Sequence, residues 1–137
     1  MKTFPLEIYA MDKTAFNGQC ESLTVPAMDG EFGVLADHEP IVIAIQAGEL
    51  RYTADGKTEV LAVGDGFMEI TELEVYIMVD FAERADEIDM IRAQRAAERA
   101  QEKIKAQQDA RAVAHAEAAL ARAIARMSVV YRKSSRH

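Results

Sequence analysis

Tryptophan is absent, cysteine occurs once, and beyond Gly66 the chain has neither glycine nor proline. Each gap excludes something. A lone Cys20 closes no internal disulfide, so the fold rests on its own core and a reducing compartment suits it. Cys20 alternates with Glu21 in a predicted strand, where a small buried hydrophobe is the expected role. No apolar run approaches the ~20 residues of a membrane-spanning helix. Residues 1–7 offer no apolar core of a secretory signal. Bulky apolar residues are also scarce, because 24 of the 137 residues are alanine. An alanine methyl buries little area, so part of the molecule must pack thinly.

What is present is distributed unevenly. Nine alanines lie in residues 1–84 and fifteen in 85–126, whereas all seven glycines and all three prolines lie before residue 67. Residues 1–86 carry 5 basic and 17 acidic side chains, a net of −12. Residues 87–137 carry 11 basic and 6 acidic, a net of +5. The chain therefore divides near residue 86 into an acidic, turn-rich part (1–85) and a basic, alanine-rich part (86–137).

The first part reads as β structure. Phe4, Leu6 and Ile8 alternate with polar neighbours, as do Leu23 and Val25 before Pro26, and Ile41, Ile43 and Ile45 after Pro40. Asp55-Gly56 between two such runs predicts a tight hairpin. Val60-Leu61-Ala62-Val63 ends at Gly64-Asp65-Gly66, and two further runs follow around a charged turn at residues 72–74. Short, evenly spaced strands predict a sandwich or a flattened barrel.

The second part reads as helix. Ile88, Ile91, Ala96, Ala100 and Ile104 follow helical spacing, and Val113, Ala116, Leu120, Ile124 and Met127 do so again. Asp86 and Asp109 stand as N-caps of the two helices. The short link at residues 105–109 permits an antiparallel hairpin, and equally one continuous helix, since nothing in it breaks helical backbone.

Catalytic motifs are missing: there is no phosphate-binding Gly-x-x-x-x-Gly-Lys loop, and Gly64-Asp65-Gly66 is a strand turn. Asp37-His38-Glu39 has no second histidine at ligand spacing, so it reads as a surface loop placed for partner contact and no metal site is expected. His115 and His137 lack partners in sequence. The arginines are the richer signal. Arg92, Arg95 and Arg99 share one helix face, and Arg122 and Arg126 another. In a closed hairpin these rows converge on one anion, and guanidinium pairs bidentately with phosphate. Spacing alone is satisfied as well by a solvated basic face. A nucleic-acid role is disfavoured by the acidic total and the absence of interleaved aromatics.

Beyond these patterns the chain resembles a family, the epsilon subunit of F-type ATP synthase of the bacterial type. The resemblance is carried by Asp29-Gly30-Glu31-Phe32-Gly33-Val34-Leu35-Ala36-Asp37-His38-Glu39-Pro40, Gly48-Glu49-Leu50 and Val63-Gly64-Asp65-Gly66-Phe67-Met68-Glu69-Ile70. It continues through Val79-Asp80-Phe81-Ala82-Glu83-Arg84-Ala85-Asp86-Glu87-Ile88-Asp89. Two departures are Ala36 for a frequent proline and Asp65 for a frequent glycine. The resemblance implies an antiparallel β-sandwich of about ten strands and then a two-helix hairpin. It implies a non-catalytic rotor-stalk subunit, peripheral at the cytoplasmic face of the bacterial plasma membrane and attached there only through its complex. It implies contacts of the sandwich with the gamma subunit and, through Glu31 and His38, with the c-ring. An extended helical part is implied to reach the beta subunit and inhibit ATP hydrolysis. No cofactor is required, but some family members bind ATP in the closed hairpin through Ile/Leu-Asp-x-x-Arg-Ala. Ile88-Asp89-Met90-Ile91-Arg92-Ala93 matches that pattern, and the remaining implied ligand positions fall on Glu83, Arg99, Arg122 and Arg126.

Overall fold

The computed structural model describes residues 2–106 and 108–135. His137 and the link residue Gln107 lie outside the described residues.

Ten strands form before residue 85: β1 Phe4–Ala10, β2 Thr14–Cys20, β3 Ser22–Ala27, β4 Gly30–Val34, β5 Ile41–Ile45, β6 Gly48–Ala54, β7 Lys57–Val63, β8 Gly66–Ile70, β9 Val75–Val79 and β10 Ala82–Arg84. They join in one continuous sheet of order β10-β7-β6-β3-β5-β8-β9-β1-β2, with β4 paired to β3. The sheet turns over at β3. Its first half pairs with β6 through Ser22–Thr24, and only Ala27 reaches Ile45 of β5. Ladders are antiparallel as expected, except that β1 and β9 run parallel, with Ile8 beside Ile77. Predicted alternation becomes burial at Leu6, Ile8, Leu23, Val25, Leu50, Met68 and Ile77, all inside one core, but fails on β5, where Ile45 is buried and Ile41 is exposed. Cys20 joins that core, its thiol bonded to the Ser22 carbonyl oxygen at 3.0 Å. At the predicted hairpin, Asp55 and Gly56 have φ of 53° and 76°, the left-handed pair that a type I′ turn requires.

Strand β7 breaks the alternation. Leu61, Ala62 and Val63 are all buried, because β7 is covered on both faces. The core lies on one side, and on the other Ala62 meets Ala125 and Val129 of the second helix, with Val60, Phe81, Ala85 and Ile88 around them.

A single 3₁₀ turn, Ala85–Glu87, leads into helix α1, Met90–Ala106, and then α2, Ala110–Ser135. The hairpin is closed and α2 lies on the sandwich. Asp109 accepts the Arg111 amide at 3.4 Å and so caps α2 as expected. Asp86 does not cap α1: it belongs to the 3₁₀ turn, and Asp89 accepts the Arg92 amide at 3.1 Å instead. The predicted stripes also shift. Ile88 precedes α1, while Ile91 and Ile124 are 61% and 51% exposed. The closed contact is made by Ala93, Ala97 and Ala100 on α1 and by Ala116 and Ala123 on α2. Alanine lets the helices approach closely, and each methyl contributes about 0.8 kcal/mol on burial.

The hairpin covers only one small patch of the sandwich. A chain ending at Asp86 is therefore expected to keep all ten strands and to unfold cooperatively. Uncovering Val60, Ala62 and Phe81 should cost about 1–3 kcal/mol. Thermal unfolding followed by circular dichroism checks this, and loss of a cooperative transition would show that the sandwich depends on the helices.

Candidate functional site

Where α1, α2 and the end of β10 meet, a cavity of about 490 Å³ opens between the helices. Its walls follow from helical spacing. Arg92, Ala96 and Arg99 recur at i, i+4 and i+7 on α1, and Ala119, Arg122, Ala123 and Arg126 share one face of α2. Glu83 enters from β10, and Glu87, Ile88 and Asp89 from the turn before α1. All eight residues expected to hold a nucleotide line this one cavity: Glu83, Ile88, Asp89, Arg92, Ala93, Arg99, Arg122 and Arg126. Arg95, on the same predicted face, is not among its walls, because three residues leave it about 60° round the helix axis from Arg92, whereas Arg99 lies only about 20° away.

Sequence reasoning missed Glu87, Ala96, Ala119 and Ala123. The three alanines were findable, since each lies within one turn of a lining arginine on the same face. Glu87 was not, because its place depends on the 3₁₀ turn.

The charges are not equivalent. Arg126 donates from Nε to Glu83 Oε1 at 2.5 Å, and its guanidinium stacks 3.8 Å from the centre of the Phe81 ring. The ring lies there because residue 64 is glycine: a Cβ at Gly64 would stand 2.9 Å from Phe81. Asp89 is occupied as the α1 cap. Glu87 receives Lys13 Nζ at 2.7 Å and the Arg84 amide at 2.9 Å, which together hold its carboxyl below the usual range. Among the described residues, Arg92, Arg99 and Arg122 have no carboxylate within ion-pair distance. Three guanidinium groups thus face a cavity whose acids are already engaged. Its remaining lining is aliphatic, from Ile88, Ala93, Ala96, Ala119 and Ala123. A polyanion with an apolar end fits that pairing of chemistry.

A second clasp holds the far end of α2 to the sandwich. Glu49 of β6 accepts Ser128 Oγ at 2.6 Å and Arg132 Nε at 3.0 Å, with Arg132 Nη2 at 2.8 Å. Arg51 bridges Glu49 and Glu31. Burial alone would push the Glu49 carboxyl up, but the hydrogen bonds from Arg132 and Ser128 and the nearby guanidinium charges outweigh it and hold the carboxyl down.

Glu31 and His38, expected to face a ring of partner subunits, lie elsewhere, on β4 and the loop after it. His38 packs against Phe32 with ring centres 5.4 Å apart and its Nδ1 lies 3.0 Å from the Glu39 carbonyl oxygen. His115 is exposed on α2. Among the described residues no group of three His, Cys, Asp or Glu side chains is placed to hold a metal ion.

Residues 3–85 match the family described as ATP synthase, Delta/Epsilon chain, beta-sandwich domain, and residues 86–130 its long alpha-helix domain. The ATP synthase epsilon chain of Nitratidesulfovibrio vulgaris (strain DP4) is 40% identical over 128 residues, covering 93% of this chain and 96% of that one. That of Ruminiclostridium cellulolyticum is 40% identical over 133 residues, covering 97% and 99%. A chain of the Euglena gracilis mitochondrial ATP synthase structure has the same fold, with a TM-score of 0.80 at 24% identity, covering 98% of this chain and 82% of that one.

The Glu49 clasp sets a pH dependence. The docked state depresses the carboxyl from its ordinary 4.5, so its contribution is complete above that value and lost as pH falls through the docked value. Protection of the amides in the last turns of α2, taken relative to the intrinsic exchange rate at each pH, should therefore fall below about pH 4.5. Glu49→Gln should abolish the dependence and weaken docking at pH 7 by about 1–2 kcal/mol.

Proposed function

This chain belongs to the delta/epsilon chain family of ATP synthase, as an epsilon chain of the bacterial type, and from that premise we propose that its closed hairpin is an ATP-sensing brake on the rotor. An epsilon chain is a non-catalytic subunit of the central stalk, within a membrane-bound complex. No helix among the described residues is long and apolar enough to cross a membrane.

In this reading the sandwich couples the catalytic head to the c-ring at the cytoplasmic face of the bacterial plasma membrane. The gamma subunit docks on the outer face of the sheet. Supporting that, Ala44, Phe67, Met78 and Tyr9 stand in one row across four strands, and Tyr76 packs 6.2 Å from Phe67 and 5.4 Å from Tyr9. Phe67 and Val42 are 42% and 65% exposed, an aromatic and aliphatic surface of the kind that marks interfaces. Glu31 and His38 meet the c-ring. The helical part, released and extended, carries its basic residues to an acidic stretch of the beta subunit and arrests hydrolysis.

The observation that carries the nucleotide reading is the cavity itself. Its walls come from both helices and from β10, so they exist together only while the hairpin is closed and docked. A ligand bound there has no equivalent site on parted helices, and it stabilises the closed state by its whole differential affinity. ATP brings three phosphates for Arg92, Arg99 and Arg122, and a base for the aliphatic walls. High ATP then holds the brake off, and falling ATP releases it.

Isothermal titration of the isolated chain with MgATP tests the sensor. Saturable heat below millimolar ATP is expected. Arg92→Ala should weaken binding by about 1.5–3 kcal/mol, the range of a charge-assisted hydrogen bond. No heat at millimolar ATP, or an affinity untouched by Arg92→Ala and Arg126→Ala, leaves a rotor subunit without nucleotide sensing. The brake is tested separately. Assembled enzyme carrying the chain truncated after Asp86 should hydrolyse ATP faster than enzyme with the full chain, and equal rates would exclude inhibition by this hairpin.

A further inference from the structure

Glu87 is out of place in the wall of an anion site. Of the three carboxylates there, Glu83 is matched by Arg126 and Asp89 caps α1, so both are satisfied by the site's own elements. Glu87 is matched from outside. Its Oε2 takes Lys13 Nζ at 2.7 Å and its Oε1 takes the Arg84 amide at 2.9 Å, so both oxygens are held by donors of the sandwich. Lys13 sits in the turn between β1 and β2, 74 residues away in sequence, and lines no part of the cavity.

We propose that Lys13 is a positioning residue of the anion site: it cancels the Glu87 charge and draws that carboxylate toward the sandwich, leaving Arg92, Arg99 and Arg122 unopposed. The proposal rests on the nucleotide reading above. Glu87 is engaged by Lys13 and Arg84 of the sandwich, and it shares the cavity wall with Asp89 and Arg92 from the start of the hairpin. Without Lys13 the nearest full cation on the sandwich side is lost. Glu87 then competes for Arg92 and repels phosphate. The ion pair is partly exposed, at 33% and 42% for the two side chains, so the effect is modest rather than absolute.

The test is MgATP titration of four full-length chains. Lys13→Met should bind about three- to fivefold more weakly than the wild type, the range of a partly exposed charge interaction. Lys13→Arg should bind as the wild type does. The double variant Lys13→Met/Glu87→Gln should recover most of the lost affinity, because the unmatched charge is gone. A role limited to tying the turn in place predicts the opposite, since the tie is cut in both variants. Equal binding by Lys13→Met and wild type, or a double variant as weak as Lys13→Met, overturns the proposal. Should Lys13→Met fail to fold, Glu87→Gln alone decides, and a loss of affinity there overturns it. If the wild type takes no ATP, the nucleotide reading falls by itself. The Lys13 claim is then decided by carbon-13 titration of the Glu87 carboxyl, whose midpoint must be higher in Lys13→Met than in the wild type and in Lys13→Arg; identical midpoints overturn it.

Discussion

Two alanine faces hold α1 against α2, and that thin contact has to resist the repulsion of the arginines it brings together. Ala93, Ala97 and Ala100 meet the face of α2 that carries Ala116 and Ala123. Five methyl groups contribute only about 4 kcal/mol at best. Against this, Arg92, Arg99, Arg122 and Arg126 are gathered around one cavity. The same lining holds Glu83, Glu87 and Asp89, so four cations against three anions leave an excess of one positive charge beside a contact that is itself thin. The closed hairpin therefore needs support from outside itself, and the sandwich supplies it at two places.

The two supports differ in kind. At one end Arg126 lies between Glu83 and the Phe81 ring, and Gly64 keeps the space that the ring fills. Arg126 is at once a docking contact and a wall of the cavity, so whatever engages it from the cavity side also acts on docking. At the other end Glu49 grips Ser128 and Arg132 well away from the cavity. Between them lies a small apolar seat, where Ala62 receives Ala125 and Val129. The second clasp is thus free to set the baseline of docking without touching the ligand site. The first makes docking responsive to it.

Much of the sandwich was legible because its cues are local. Alternation at Phe4-Pro5-Leu6-Glu7-Ile8 and the Asp55-Gly56 pair need no knowledge of the rest of the chain. One cue was legible and passed over: Val60-Leu61-Ala62-Val63 is continuously apolar, which is what a strand covered on both faces looks like. The helical stripes were right at Ala100 and Ala116 but misplaced at Ile91 and Ile124 for a physical reason. Large apolar residues normally mark the buried face, yet here alanine marks it, and Ile91 and Ile124 face solvent. Spacing put arginines on each helix but could not register one helix against the other. The resemblance named the eight cavity positions, since antiparallel register is a property of the pair. Lys13 with Glu87, and Glu49 with Arg132, join residues more than 70 positions apart, and neither partner carries a local signal.

The misplacement of the large side chains is itself informative about design. Replacing the buried alanines by leucine would deepen the closed state by about 1–2 kcal/mol at each site, if the helices could separate to admit them. A closed state deeper by several such steps would be closed at every ligand concentration. In the proposed sensor, ligand control would require the two arrangements to lie within the differential affinity of the ligand, a few kcal/mol. Alanine would meet that condition while keeping each helix intrinsically helical, because it is the residue that favours helix most. In that reading the helices would part without melting. Bulky residues such as Ile91, Ile124 and Tyr131 stay on faces that the closed hairpin leaves uncovered. The arrangement that buries least is the one that leaves the decision to charge.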